Sequence, residues 1–210
     1  MFPADTSRQA AAFDAIGERY DAAFPHKSGQ IIATQWLIDR LPAGARVLDL
    51  GSGSGLPTAG MLVEAGLEVT GIDVSEGMLA LARRNVPGAR FEAMDLLELD
   101  DSLGAFDAAT AFFSLLMLRR ADIPKVLRRL RSVLRPGGLV AIGMVEGDLD
   151  YVPLPFLDAE VRVTAYPQAE LEATVRAGGL HVLEADVEEF EPASTDVPAE
   201  RQVFLFCRSP

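Results

Sequence analysis

The chain has 210 residues, 49% hydrophobic and 24% charged, and its 31 Asp plus Glu against 19 Lys plus Arg give a formal net charge of −12. That length predicts one packed domain, and so acidic a surface disfavours phosphate backbones and anionic lipid as partners. The single cysteine, Cys207, excludes an internal disulfide framework and a Cys-rich zinc site.

No apolar run approaches the roughly 18 residues of a membrane helix. The opening residues, Met1-Phe2-Pro3-Ala4-Asp5, carry neither the basic nor the apolar part of a secretion signal. The expectation is a soluble, cytoplasmic protein with no nucleic-acid or membrane partner and no metal site; its oligomeric state is left open.

In chain order, Phe13, Ile16, Tyr20 and Phe24 form a helical stripe, and a second helical segment over 31–41 carries Trp36. A strand is predicted at 46–50. A helix follows over 58–65, with Pro57 in its first turn and Gly66 closing it. The next strand is 68–72, after which Ser75 can cap a helix running to Asn85. Strands at 89–93 and 106–111 come next. Residues 119–135 then hold seven basic side chains against Asp122 alone, while Ile123, Val126, Leu127, Leu130, Val133 and Leu134 recur at helical intervals. That pattern reads as a helix with a solvated basic face, placed outside the sheet and away from any chemistry. Arg135-Pro136-Gly137-Gly138 signals a turn before an apolar strand at 139–145.

The stretch from Glu146 to Tyr166 is Pro- and aromatic-containing without a clear period. A helix over 167–177 ends at Gly178-Gly179. Segments 181–190 and 202–207 read as strands joined by an acidic connection, and with no helix between them they should pair antiparallel. Apolar strands alternating with helices predict an α/β architecture with a parallel sheet covered on both faces.

The sharpest local feature is Asp49-Leu50-Gly51-Ser52-Gly53-Ser54-Gly55 at a strand-to-helix junction. Glycines there let the backbone turn tightly and approach a ligand, and the next helix offers free N–H groups. Leu56 stands where the third glycine of a dinucleotide fingerprint belongs, and Asp49 would repel a pyrophosphate. An acid at that place suits a ligand carrying positive charge.

At these residues the chain resembles the class I S-adenosylmethionine-dependent methyltransferases. Further matching motifs follow in order: Val69-Thr70-Gly71-Ile72-Asp73-Val74-Ser75, Phe91-Glu92-Ala93-Met94-Asp95, Phe106-Asp107-Ala108-Ala109 and Leu134-Arg135-Pro136-Gly137-Gly138. The resemblance implies a Rossmann-like three-layer sandwich with a seven-stranded, mostly parallel sheet and an antiparallel C-terminal strand. Residues 46–210 would be the S-adenosylmethionine-binding domain, and 1–45 a helical cover belonging to it. It implies S-adenosyl-L-methionine as cofactor and S-adenosyl-L-homocysteine as product.

Gly51, Gly53 and Gly55 would admit the methionine moiety, with Asp49 in the same cofactor site, Asp73 would take the ribose hydroxyls and Asp95 the adenine amino group. Val74, Met78, Met94 and Phe112 would line the same cofactor site. Tyr20-Asp21 resembles an early Tyr-Asp segment that folds over the cofactor, where an aromatic face suits a sulfonium; Tyr20 on its apolar stripe could equally be core. His26 is the first candidate base, with Tyr20 beside it as a catalytic candidate, whereas His181 reads as structural. Phe113, Glu146, Tyr151 and Tyr166, with Asp148, are candidates for contact with a small-molecule substrate, the alternative for the last four being a solvated loop.

After the fourth strand the chain reads Ala111-Phe112-Phe113-Ser114, unlike the Asn/Asp-Pro-Pro-aromatic motif of nucleic-acid amino methyltransferases and without an acid for a metal-dependent catechol type. Three readings stay open: a small-molecule methyltransferase; an S-adenosylmethionine-binding protein of the same fold without ordinary methyl transfer; and a nicotinamide-dependent oxidoreductase, disfavoured by Asp49 and Leu56.

Overall fold

A computed structural model describes residues 3–191 and 199–210. Met1, Phe2 and most of the acidic connection before the last strand lie outside the described residues. The central half alternates strand and helix: β1 (Arg46–Leu50), α4 (Thr58–Glu64), β2 (Glu68–Asp73), α5 (Glu76–Asn85), β3 (Arg90–Ala93), β4 (Phe106–Phe112), α6 (Ile123–Val133) and β5 (Leu134–Val145). Three helices precede it, α1 (Ala4–Ile16), α2 (Arg19–Ala23) and α3 (Ser28–Ile38). After it come β6 (Leu149–Phe156), β7 (Ala159–Ala165), α7 (Gln168–Ala177), β8 (His181–Phe190) and β9 (Glu200–Arg208).

Seven strands form one sheet in the order β3-β2-β1-β4-β5-β9-β8. Strands β1 to β5 pair in parallel, and β9 runs antiparallel to both β5 and β8. The parallel part of the sheet is what the sequence predicts, because buried strands such as Val47-Leu48-Asp49-Leu50 are apolar almost throughout. On one face α3, α4 and α5 bury Trp36, Leu37, Leu62 and Leu79 against Val47, Val69 and Phe206. On the other, α6 and α7 bury Val126, Leu127, Leu130 and Val175 against Leu48, Leu50 and Ile142. A fully buried Leu or Ile contributes roughly 1.5–3 kcal/mol, so the apolar stripe of α6 outweighs the propensity of its Arg-rich face. Ser75 caps α5 as expected, its hydroxyl accepting the Met78 N–H at 3.0 Å.

Three segments differ from the sequence expectation, the first being the expected turn at 135–138, which falls inside β5. The N-terminal stripe is not one helix: Gly17, at φ 53°, ends α1 and lets α2 start in a new direction. The aperiodic stretch after Val145 is a hairpin, β6 paired antiparallel with β7 and turned at Leu157-Asp158, both at positive φ. Such a turn usually carries Asn-Gly, so Leu-Asp gave no signal. The hairpin stays apart from the main sheet and packs on α1, where Ile16, Ala23, Met78, Leu157 and Val161 form a third small core. Among the described residues, no helix is long and apolar enough to cross a membrane.

Candidate active site

The strand order reverses between β1 and β4, and the chain leaves the carboxyl ends of both strands there. Ligands of open α/β sheets bind at such a switch point. A cavity of about 880 Å³ opens over it, near the upper end of the roughly 300–1,000 Å³ usual for small-molecule sites. Its floor is the glycine loop after β1 and the turn after β4. Its roof is α1, the α2 region and the β6–β7 hairpin.

The loop conformation requires glycine. Gly51 has φ 69°, and a Cβ there would stand 2.3 Å from the Ser114 Cβ. The Gly51 and Ser52 N–H groups both donate to the Ile72 carbonyl, tying the loop to β2. Gly53, at φ 52°, faces open space where a Cβ would meet nothing within 4 Å. Its N–H donates to the Asp73 carboxylate at 2.9 Å, and Ser75 N–H donates to the other Asp73 oxygen at 2.9 Å. Burial pushes the Asp73 carboxyl above its usual range, and these two N–H bonds oppose that rise. Each carboxylate oxygen retains a lone pair, so Asp73 can still accept from a vicinal diol.

Asp95, buried two residues beyond β3, accepts from Leu97 N–H at 2.9 Å and from the Thr6 hydroxyl of α1 at 2.7 Å. Val74, Met78, Met94 and Phe112 line the same end of the cavity. The Ser52, Ser54 and Ser114 hydroxyls, all cavity-lining, make no hydrogen bond among the described residues. This donor set fits S-adenosylmethionine: unpartnered hydroxyls and an open glycine for the methionine part, a carboxylate for the ribose and another for the adenine amine.

Twelve of the residues singled out in the sequence meet at the cavity: Tyr20, Gly51, Gly53, Asp73, Val74, Met78, Met94, Asp95, Phe112, Phe113, Glu146 and Tyr151. Four do not. Asp49 lies behind the loop, 3% exposed, and accepts from the Thr110 hydroxyl of β4 at 2.6 Å. Its carboxyl is pushed up to about 6, first by burial and also by the charge of Asp73. Gly55 completes the turn against Val86 and Phe91. His26 is exposed and outside the cavity, and among the described residues no histidine lines it. Tyr166 pairs back with Glu146 at the hairpin's base, which turns its ring into the core under the Arg120 guanidinium. Asp148 likewise points outward to Arg120 at 2.6 Å.

Tyr20 faces the cavity, but the Lys27 ammonium stands 5.0 Å from its ring centroid. Burial, then the charges of Asp21, Glu200 and Asp73, push the Tyr20 hydroxyl upward. It therefore stays protonated and is no base at neutral pH. Glu146 is bound to Arg201 and accepts from Gln168 N–H at 3.2 Å.

Several lining residues escaped sequence reading. Gln9 of α1 donates to the Arg162 carbonyl at 2.8 Å and accepts from the Arg162 N–H at 3.1 Å, pairing with β7 as a strand would. Lys27 bridges Asp21 at 2.7 Å and the Leu56 carbonyl at 3.0 Å, joining the roof to the glycine loop. Arg119 stacks on Tyr151 at 4.3 Å and pairs with Asp5 at 2.7 Å. The basic run is thus not wholly remote from the site, because its first residue precedes α6 and faces the cavity. No sequence pattern marks the Gln9–Arg162 and Arg119–Asp5 pairs, whose partners lie far apart in the chain.

A methyltransferase-domain family model matches residues 47–138. The chain is 35% identical over 192 residues to the 27-O-demethylrifamycin SV methyltransferase of Amycolatopsis mediterranei, covering 80% of this chain and 68% of that protein. It is 33% identical over 171 residues to the methyltransferase GfsG of Streptomyces halstedii, covering 74% of this chain but 61% of that relative's length. Among solved structures, the Burkholderia thailandensis 1,6-didemethyltoxoflavin-N1-methyltransferase, with 1,6-didemethyltoxoflavin and S-adenosylhomocysteine bound, superposes with a TM-score of 0.72 at 21% identity, covering 100% of this chain and 92% of that one. The chain belongs to the class I S-adenosylmethionine-dependent methyltransferase family.

Proposed function

We propose that this protein transfers a methyl group from S-adenosylmethionine to a small organic acceptor by in-line displacement. The observation that carries the reading is the pair of cavity-facing carboxylates, Asp73 and Asp95, set around a glycine loop that only glycine can form. S-adenosylmethionine supplies a sulfonium-activated methyl group and a neutral thioether as leaving group. The protein's part is to position the acceptor, which can contribute about 7–11 kcal/mol, and to keep water out. Gly51, Gly53 and the three serine hydroxyls would seat the methionine end, Asp73 the diol and Asp95 the amine. The buried negative charge of Asp49 favours a cation just in front of it.

The acceptor would occupy the other half of the cavity, where Tyr20, Phe24, Phe156 and Phe190 pack with ring centroids 5.1–6.4 Å apart. That wall and the chain's negative charge support a small apolar acceptor over a nucleic acid, and a cytoplasmic workplace accords with such a cofactor. Calorimetry with S-adenosylmethionine, S-adenosylhomocysteine and NAD tests the reading. Binding of the first two in preference to NAD is expected. Preference for NAD would overturn it, and tight binding without methyl transfer across a panel of hydroxyl and amine acceptors would favour a binding-only role.

A further inference from the structure

Six carboxylates line the cavity among the described residues: Asp5, Asp73, Asp95, Asp122, Glu146 and Glu200. Five are committed. Asp5 pairs with Arg119 and Arg8, Asp122 with Lys125, and Glu146 with Arg201. Asp73 is held by two backbone N–H groups, and Asp95 by Thr6 and Leu97. Glu200 differs, since its hydrogen bond comes from the neutral Gln202 amide at 2.7 Å and, among the described residues, no cation pairs with it.

The topology puts Glu200 where the chemistry would be. Strand β9 runs antiparallel to β5, so its first residue stands at the carboxyl edge of the parallel strands, just beyond the Val145–Gln202 pair. Across β8 its partner is Phe190, whose ring stacks on Phe24 at 5.8 Å, and Phe24 stacks in turn on Phe156 at 6.0 Å. A flat apolar molecule lying on these rings would present its edge to the Glu200 carboxylate.

The charged neighbours leave it available. Arg201 is turned to Glu146 and Glu189, Glu188 to the Ser28 hydroxyl, and Lys27 to Asp21. Tyr20, from α2, feels the charge of Glu200 but stays protonated. Burial pushes the Glu200 carboxyl up, and the Gln202 amide only partly offsets this. A carboxylate so placed is a better proton acceptor than an ion-paired one.

We propose that Glu200 is the general base of the transfer, acting on an acceptor whose nucleophile is a hydroxyl on an aromatic scaffold seated against Phe24, Phe156 and Phe190. The proposal rests on the methyl-transfer reading above. The Glu200 carboxylate takes the hydroxyl proton, and the oxygen's electron pair forms the new bond to the methyl carbon. The carbon–sulfur bond breaks with its pair left on a neutral thioether sulfur, and Glu200 later returns its proton to water.

The test uses 2-naphthol and 2-methoxynaphthalene as probes of the protein saturated with S-adenosylhomocysteine, read by calorimetry. A hydrogen bond to a charged carboxylate predicts about tenfold or greater preference for the naphthol. Glu200→Gln and Glu200→Leu should lose most or all of that preference while S-adenosylhomocysteine affinity, which reports an intact fold, is unchanged. With S-adenosylmethionine, kcat for naphthol methylation should fall by about 100-fold or more in Glu200→Gln, with partial rescue in Glu200→Asp. The wild-type rate should rise with pH to a plateau, through a midpoint above the usual carboxylate range that Glu200→Gln lacks.

An unaltered naphthol preference in both variants would overturn the proposal. So would failure of the wild-type complex to bind either naphthalene. Failure of the wild type to bind S-adenosylhomocysteine would overturn the cofactor reading itself, and this proposal with it.

Discussion

The two halves of the cavity are built by different physics. On the half proposed for the cofactor, the cavity is lined by the glycine loop and by carboxylates at or just beyond strand ends, fixed by bonds such as Gly53 N–H to Asp73 and Leu97 N–H to Asp95. On the acceptor side the wall is aromatic, and its pieces are joined by side chains reaching across the chain, as Gln9 reaches Arg162. A site set by backbone conformation tolerates little change, because one Cβ can block it. A site set by side-chain packing can be reshaped one residue at a time. The contrast accounts for a cofactor half made of short motifs beside an acceptor half with none.

The comparison can be broken most severely at Gly51. Gly51→Ala would force a Cβ to 2.3 Å from Ser114 in a left-handed backbone. The expected outcome is a loss of about 3 kcal/mol or more in chemical denaturation, together with loss of measurable S-adenosylhomocysteine binding. A variant of wild-type stability that still binds would show that the loop is not rigid.

Asp49 offers a pH-resolved test of the same half. Its carboxyl titrates at about 6 in the folded protein against 3.8 ordinarily, so the native state binds more protons than the unfolded chain between those values. Its stability contribution is full below about pH 4 and is lost as pH rises through about 6. Asp49→Asn should therefore gain stability relative to wild type over that window, by up to about 3 kcal/mol, in denaturant titrations at pH 4 and 7. A pH-independent difference would remove the buried charge from the account.

On the other half, Gln9→Ala removes both bonds to Arg162 and should cost about 1–2 kcal/mol. Hydrogen exchange should quicken in α1 and β7 but not in β1 or β4; uniform quickening would mean that the roof and sheet unfold together. The smallest effect is expected for Phe156→Ala, which should leave S-adenosylhomocysteine affinity within about twofold while weakening aromatic acceptor probes.

The same contrast explains what could be read from sequence. The sheet and the glycine loop were legible because each is a local pattern, an apolar run and a turn that demands glycine, while Asp73 and Asp95 were marked by the resemblance of their motifs. Tyr20 was marked by its Tyr-Asp segment, although its placement under Lys27 was not. His26 was misleading, since its chemistry suggests a base while its position on the surface is decided by how α2 and α3 join. The hairpin was illegible because Pro153 and Pro155 interrupt the strand pattern and Leu157-Asp158 is an unusual turn. Glu200 carried no motif, and its freedom from ion pairing emerges only when the other five carboxylates are placed.

The central claim is that Asp73 and the glycine loop hold S-adenosylmethionine, and the most direct measurement is the S-adenosylhomocysteine affinity of wild type against Asp73→Ala. The account predicts a loss of about tenfold or more, equivalent to the roughly 1.5–3 kcal/mol of a hydrogen bond to a charged group, in a variant that remains folded. Equal affinities would contradict it and take Asp73 out of the site.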